Sequence, residues 1–427
     1  MGFVVLSGTE PGAMRGPEAS PLRSLRKTRG AHLTVLPGGA GNLEGRRVAV
    51  LNFREPRQSV AGGAEEYAWQ VSRHLVEEGA QVCFLTAREP GQPRAEQLDG
   101  IELRRMGNRF LVYLLVPLWL FLHRRRFDVV IDSMNGIPFF SPLVVRRSTK
   151  VICLVHHVHG RQFYAFLPAW LARIGVFIEG PVARRLYRRC ATVTVSDSSR
   201  RDLIERLSWR APIQVIPNGR SVADAPVGPV CGDPVVVYLG RLVGHKRVDR
   251  VVGLADRLGH AWPRMHVHVI GRGVESESLA GFVREKALED RVTMHGFLSE
   301  EEKVQVLGGA QLHVTASEFE GWGLTVIEAA ALGVPTVAYD VAGLRDSVRD
   351  GETGWLVREG ETLEDVVDRA LKLLSDPVRR EEIAHECRQW AGRFTWRRTG
   401  AAMTELIAGE PAGSPAAAPG ALAAGGR

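Results

Sequence analysis

The sequence predicts an α/β protein of two similar halves, each a doubly wound, Rossmann-like parallel sheet, facing one another across a central crevice. Three observations carry that expectation. Strand, loop and helix alternate from Arg47 onward, the rhythm of βαβ units. A Pro/Gly stretch, residues 222–234 (VADAPVGPVCGDP), then breaks all periodicity, as linkers between domains do. A second strand–helix series begins at residue 235, and 427 residues suffice for two separate cores.

In order, RVAVLNF is the first strand, a loop runs to Gly63, a helix spans about Ala64 to Glu78, and QVCFLTA returns to the sheet. DVVID (128–132), VICLV (151–155), TVTVS (192–196) and PIQVIP (212–217) continue the half at residues 46–221. VVVYLG (235–240), MHVHVIG, RVTMHGF, LHVTAS and PTVAYD build the half at 235–392. Ligands of such sheets bind beyond the carboxyl ends of the strands. Residues 1–45 are rich in Gly, Pro, Arg and Ser without period and have no secretory-leader pattern, and 410–427 are rich in Ala, Gly and Pro; both are expected not to pack.

A net charge of +7 arises mostly from arginine, since six of the 55 basic residues are lysines. No basic stripe with interleaved aromatics accompanies it, so nucleic acid is not an expected partner; diphosphates and an anionic membrane surface are. Five scattered cysteines without a C-x-x-C pair suggest neither zinc nor a disulfide framework, but reduced thiols in a cytoplasm.

Residues 317–331, SEFEGWGLTVIEAAA, hold the most chemistry. An apolar strand precedes them, and Thr325 to Leu332 form a helix that Gly333 and Pro335 stop. Glu320 therefore lies on a loop at a strand's carboxyl end, and Gly323, Leu324 and Thr325 lie at a helix N-terminus whose N–H groups attract anions. Glu328, tilted toward that N-terminus, is expected to lean back toward the Glu320 loop. Carboxylates beside a phosphate cradle suit a polyhydroxylated group carrying a diphosphate, a nucleotide sugar. The competing reading makes Glu328 a charge near a helix start and Glu320 a solvated loop residue.

The whole run resembles the donor-site motif of the retaining glycosyltransferases of family 4, which have the two-domain GT-B fold. VYLGRLVGHKRVDRVVG (237–253), HVIGRG (268–273), VTMHGFLSEEEKVQVL (292–307) and GVPTVAYDVAGLRDSVRDGETGWL (333–356) are similar to family segments in the same order. So is NFREPRQSVAGGAEEYAWQVSRHLVEEGAQV (52–82), and the resemblance covers roughly residues 47–400. The arginine bias is that of a GC-rich, actinobacterial coding genome. The resemblance implies a hexose-type sugar moved from a nucleotide diphosphate sugar to an acceptor hydroxyl, on a saccharide, a lipid-linked glycan or a small molecule. It implies that Arg241 and Lys246 bind the diphosphate, that Gly62, Gly63, Gly271, Gly323, Leu324, Thr325 and Glu328 bind the donor, and that Glu320 touches the sugar. RFTWRRTGAAMTELI (393–407) resembles the family's last helix, which packs back on the first domain, giving a segment at 393–409.

The residues themselves add to this. No Asp-x-Asp is present, so no metal cofactor is expected; a guanidinium and an ammonium just after a strand offer the charge a metal would supply. A solvated basic loop is the plain alternative for Arg241 and Lys246, as an ordinary tight turn is for Gly62 and Gly63. His156, His157 and His159 follow a strand of the first half; a histidine there meets the sugar or acceptor in the family, and His156 and His159 both fit the register. Asn135, also after a strand, lines the acceptor cleft or simply makes a turn. Two rivals are a nicotinamide oxidoreductase, for which VIGRGVES (269–276) has only two of the glycines and sits in the wrong half, and a catalytically dead sugar-binding regulator.

One segment, FLVYLLVPLWLFL (110–122), is membrane-like but too short to span, with Pro117 at its centre and Arg124 to Arg126 just beyond. It reads as a buried helix of the first half or as a contact with the inner face of the plasma membrane.

Overall fold

The computed structural model describes residues 43–58, 61–222 and 232–409. The expected tail at 410–427, the extension at 1–45 up to residue 42, most of the 222–234 linker and Cys231 lie outside the described residues.

Two sheets form. The first contains β1 (Arg47–Leu51), β2 (Gln81–Thr86), β3 (Ala95–Leu98), β4 (Ile101–Arg105), β5 (Val129–Ser133), β6 (Lys150–Val155), β7 (Ala191–Thr194) and β8 (Ile213–Val215). Its order is β3-β4-β2-β1-β5-β6-β7-β8, parallel except for the β3–β4 edge hairpin. The second contains β9 (Val235–Leu239), β10 (His266–Ile270), β11 (Val292–Gly296), β12 (Leu312–Thr315), β13 (Thr336–Tyr339) and β14 (Gly354–Val357), in the order β11-β10-β9-β12-β13-β14 and parallel throughout. This is the two-sheet architecture the alternation predicts. Three strands were not among those expected, β3, β4 and β14. β3 (AEQL) is four half-exposed residues at the edge, β4 (IELRR) is rich in charge, and β14 is four residues between turns.

The central strands β1, β5 and β6 are apolar runs because helices cover both their faces. Helix α1 (Gly63–Glu77) has half of a capping box at its start: the Gly62 N–H donates to Glu65 Oε2 at 2.8 Å, and glycine offers no side chain to return the bond. Its Val71 and Leu75 are buried in one cluster with Met403 and Ile407 of the C-terminal helix, Trp396–Ala408. That helix is anchored at both ends to the first half. Thr399 Oγ1 donates to the Pro217 carbonyl at 2.7 Å, and the Lys150 ammonium donates to the Gly409 carbonyl at 2.6 Å, where a helix carries negative charge.

Helix α2 (Val112–Leu122) matches neither reading of the apolar segment completely. Val112, Val116 and Leu120 are buried against the sheet, one residue per turn, while Leu114 and Leu118 are 65% and 51% exposed. Phe110 and Leu122 at its ends are also exposed. Every position is apolar, so the sequence shows no face, and only docking on the sheet decides which stripe is covered. Arg126 forms an ion pair with Glu102, and Arg124 lies over the Phe121 ring at 4.7 Å. No helix among the described residues is long and apolar enough to cross a membrane.

This division predicts unequal costs. Leu120→Ala should destabilise the protein by ~2–5 kcal/mol through lost burial and a cavity, whereas Leu118→Ala should change stability by less than ~0.5 kcal/mol. Urea unfolding of both variants, at unchanged m, measures the difference.

Candidate active site

Arg241 and Lys246 follow β9 and Glu320 follows β12, which pairs with β9, so the strand ends bring the three together. The turn Gly244–Lys246 is stitched to the loop at 317–323 in three ways. The Glu318 N–H donates to the His245 carbonyl at 2.9 Å, the His245 ring stacks on Phe319 at 4.8 Å, and Arg247 pairs with Glu318 at 3.0 Å. Burial, aided by the adjacent Lys246, lowers the His245 pKa to about 4, so that ring stays neutral. Within this frame the Lys246 ammonium donates to Glu320 Oε1, and Ser317 Oγ donates to the same oxygen at 3.4 Å. Glu320 is therefore ion-paired rather than solvated.

Glu328 lies in the helix Leu324–Ala331, which begins at Gly323 with φ +89°. A side chain at Gly323 would be strained by that φ, and its Cβ would stand 2.7 Å from Ser347 Oγ, so glycine is required for the chain to enter the helix. The Glu328 carboxyl is buried, and its cation is Lys303, at 3.7 Å on the helix Glu300–Gly308. Desolvation raises its pKa to about 7 against the opposing pull of Lys303, with Glu300 and Glu66 raising it further. The two motif carboxylates thus have separate cations. The alternative of a solvated Glu320 and a merely capping Glu328 does not describe either.

The first half contributes from the ends of β1, β5 and β6. Gly62 faces Arg241: a Cβ there would lie 3.5 Å from the guanidinium carbon. Gly63 receives Asn218 Nδ2 on its carbonyl at 3.4 Å and lies beside Leu324. The glycine turn therefore meets Arg241 and the start of the motif helix. Gly271 belongs to the same end of the second sheet, its N–H donating to the Gly296 carbonyl at 2.7 Å and its backbone lying against Gly240. Thr325 begins the motif helix without capping it, since the cap position is Gly323.

The histidines separate. His156 is buried, its ring edge-on to Tyr67 at 5.3 Å and its pKa lowered to about 4 by burial, and its carbonyl is the part nearest Gly321. His157 stacks on His159 at 4.1 Å, and its Nε2 meets Gln162 Oε1 at 3.1 Å. His159 is partly open, and the buried Glu179 accepts from its backbone N–H at 2.7 Å and lies 3.4 Å from Nδ1. Asn135 donates to Asn52 Oδ1 at 3.0 Å and joins the ends of β5 and β1. Its loop is tethered by the buried Asp132, which accepts from the N–H groups of Phe139 and Ser141 at 3.1 Å each.

Asn218, Lys303, Glu179 and His245 escaped the sequence reading. Asn-Gly directly after β8 was an available signal for Asn218; nothing in EEEK or IEG marks Lys303 or Glu179, whose partners come from distant segments. Among the described residues no group of three or more His, Cys, Asp or Glu is arranged to hold a metal ion.

Two largely parallel α/β sheets that bring their strand ends together are the architecture of the GT-B fold. Residues 61–223 match Glycosyltransferase Family 4 and residues 224–390 match Glycosyl transferases group 1, together more than three quarters of the chain. The chain belongs to this glycosyltransferase family, which sets aside a nicotinamide oxidoreductase and a non-enzymatic regulator. It is 34% identical over 196 residues to D-inositol 3-phosphate glycosyltransferase of Nocardia farcinica, an alignment that covers 44% of this chain and 43% of that protein, less than half its length. In structure it resembles sucrose-phosphate synthase of Thermosynechococcus elongatus, with TM-score 0.71, 21% identity and coverage of 84% of this chain and 98% of that one. It also resembles Anabaena HepE in complex with UDP and glucose, with TM-score 0.65, 18% identity and coverage of 85% and 99%.

The Glu328–Lys303 pair gives a direct prediction. A carboxyl with a raised folded pKa favours the fold below the unfolded value near 4.5, and that contribution is lost as pH rises toward about 7. Lys303→Met should move the Glu328 midpoint higher still. A 13C-carboxyl titration of both proteins checks the position and the direction.

Proposed function

We propose that the protein is a retaining, metal-independent glycosyltransferase that moves a hexose-type sugar from a nucleotide diphosphate sugar to an acceptor hydroxyl. The observation that carries this reading is the approach of Arg241 to Gly62 and of Gly63 to Leu324 of the motif helix, with the Lys246–Glu320 pair on the neighbouring strand ends. Arg241 and Lys246 take up charge on the departing diphosphate, Glu328 accepts from ribose hydroxyls and Glu320 from sugar hydroxyls. The bond between the anomeric carbon and the diphosphate oxygen breaks, the acceptor oxygen takes its place on the same face, and a leaving phosphate oxygen receives the acceptor proton. His159, held by Glu179, is better placed than the enclosed His156 ring to meet the sugar. UDP and glucose bound to Anabaena HepE, which shares this fold, support a uridine nucleotide as a first choice of donor.

Donor hydrolysis without acceptor, measured across UDP-, GDP- and ADP-sugars, tests the reading. Turnover of at least one donor should survive saturating EDTA, and Lys246→Ala should lower it by ~10²-fold or more, the worth of a preorganised charge facing a leaving group. Silencing by EDTA with rescue by magnesium or manganese would overturn the metal-independent mechanism.

The outward stripe of α2 supports a second element of the reading, peripheral attachment to the inner face of the cytoplasmic membrane. Phe110, Leu114, Leu118 and Leu122 are exposed apolar side chains with Arg109 and Arg124 beside them. Each arginine near anionic lipid contributes about 1 kcal/mol, a contribution that salt screens. Flotation with anionic vesicles should therefore weaken as salt rises and on Arg124→Gln with Arg125→Gln. Absence of flotation at low salt would refute the attachment.

A further inference from the structure

Glu179 is fully buried in a single π-helical turn, Ile178–Val182, a local widening of a helix of the kind that recurs at functional sites. Its carboxylate faces the turn that follows β6. Oε1 accepts from the His159 N–H and Oε2 from the Gly160 N–H, each at 2.7 Å. A carboxylate oxygen has two lone pairs, so Oε1 retains one. His159 Nδ1 lies 3.4 Å from that oxygen. Nδ1 is itself buried, and no other group among the described residues is in hydrogen-bonding position to it. Without a proton, Nδ1 would set its lone pair against a desolvated carboxylate, which is repulsive; with one, the same approach is attractive. In a neutral imidazole, a proton on Nδ1 leaves the lone pair on Nε2.

The ring around these nitrogens is held on several sides. His157 stacks on it at 4.1 Å and Phe163 at 5.5 Å. The loop after β5 closes the Nδ1 edge: Gly136 has φ +83°, and a Cβ there would lie 3.3 Å from Nδ1 and 2.9 Å from the Phe163 ring. That loop is fastened from the same helical segment as the carboxylate. Tyr187 donates to Asp132 at 2.5 Å, and Asp132 accepts from Phe139 and Ser141 of the loop. Residues 178–187 thus hold both loops that meet at this ring, one through Glu179 and the other through Tyr187. The His159 side chain still keeps 22% of its surface exposed, and with Nδ1 enclosed the open part is the edge away from it.

We propose that Glu179 is a positioning residue for glycosyl transfer: it holds His159 with the proton on Nδ1, so that Nε2 accepts a hydrogen bond from a substrate hydroxyl. The inference rests on the reading of His159 as the group that meets the sugar, whereas the pairing of Glu179 with the ring stands apart from it. No proton changes hands in this role. The carboxylate fixes which ring nitrogen is an acceptor, as a buried carboxylate does for the histidine of a hydrolase triad.

Nitrogen-15 NMR of the full chain labelled at histidine, at about pH 8.5 where an ordinary imidazole is neutral, reads the tautomer directly. His159→Gln identifies the resonances by their loss. The unaltered protein should show His159 with its proton on Nδ1, a result independent of any variant's folding. A proton on Nε2 instead would overturn the pairing. In steady-state transfer, Glu179→Gln should lower kcat by ~10-fold or more, the worth of one charge-assisted contact, with a smaller change in KM. His159→Gln should cost as much, and the double variant no more than either, because both remove one unit. Additive losses would overturn the positioning role, and so would unchanged turnover in His159→Gln. No turnover of any nucleotide sugar by the unaltered protein would instead remove the proposed function, and the tautomer alone would then uphold or overturn the pairing.

Discussion

The approach of the Arg241 guanidinium to the Gly62 backbone joins the two sheets at the point where both present their strand ends. Everything chemical in the molecule is arranged around that contact. A side chain at Gly62 would begin 3.5 Å from the guanidinium carbon, and Asn218 holds the adjoining turn by the Gly63 carbonyl. On the other side, the stitching of the Gly244–Lys246 turn to the Glu318–Glu320 loop makes cation and carboxylate move as one piece. An anion between the halves would meet groups already positioned, which is where the electrostatic advantage of a preorganised site lies.

Three buried charges among the described residues are matched by particular partners. Glu55 and Arg105, both nearly inaccessible, pair at 2.9 Å beneath the first sheet's edge. Glu179 spends its two oxygens on the N–H groups of His159 and Gly160, so a carboxylate stabilises the turn that carries the histidines. Glu328 is the exception in degree, since burial outweighs Lys303 and holds its carboxyl close to neutrality.

The first half shows a division of labour. Its sheet interior and α1 bury apolar residues against the C-terminal helix, while α2 covers the sheet with one stripe and leaves the other outward. A helix apolar on both sides is expensive to expose in water.

The sequence by itself determined the class of fold and most of the motif. Alternating apolar runs and turn residues placed β1, β2 and β5 to β13, and Gly333 with Pro335 placed the end of the motif helix to within two residues. Glu320, Glu328, Arg241 and Lys246 were legible because each lies in a local pattern of strand end, glycine turn and helix start. The pairing of these groups was not legible. Lys303 reaches Glu328 from a different helix, Glu179 reaches His159 across twenty residues, and Lys246 reaches Glu320 through the pairing of β9 with β12. The same holds for α2, whose uniform apolarity hides which stripe meets the sheet. Local pattern encodes which backbone form a segment takes; which charges are desolvated together, and which apolar face stays in water, depends on contacts between segments far apart in the chain.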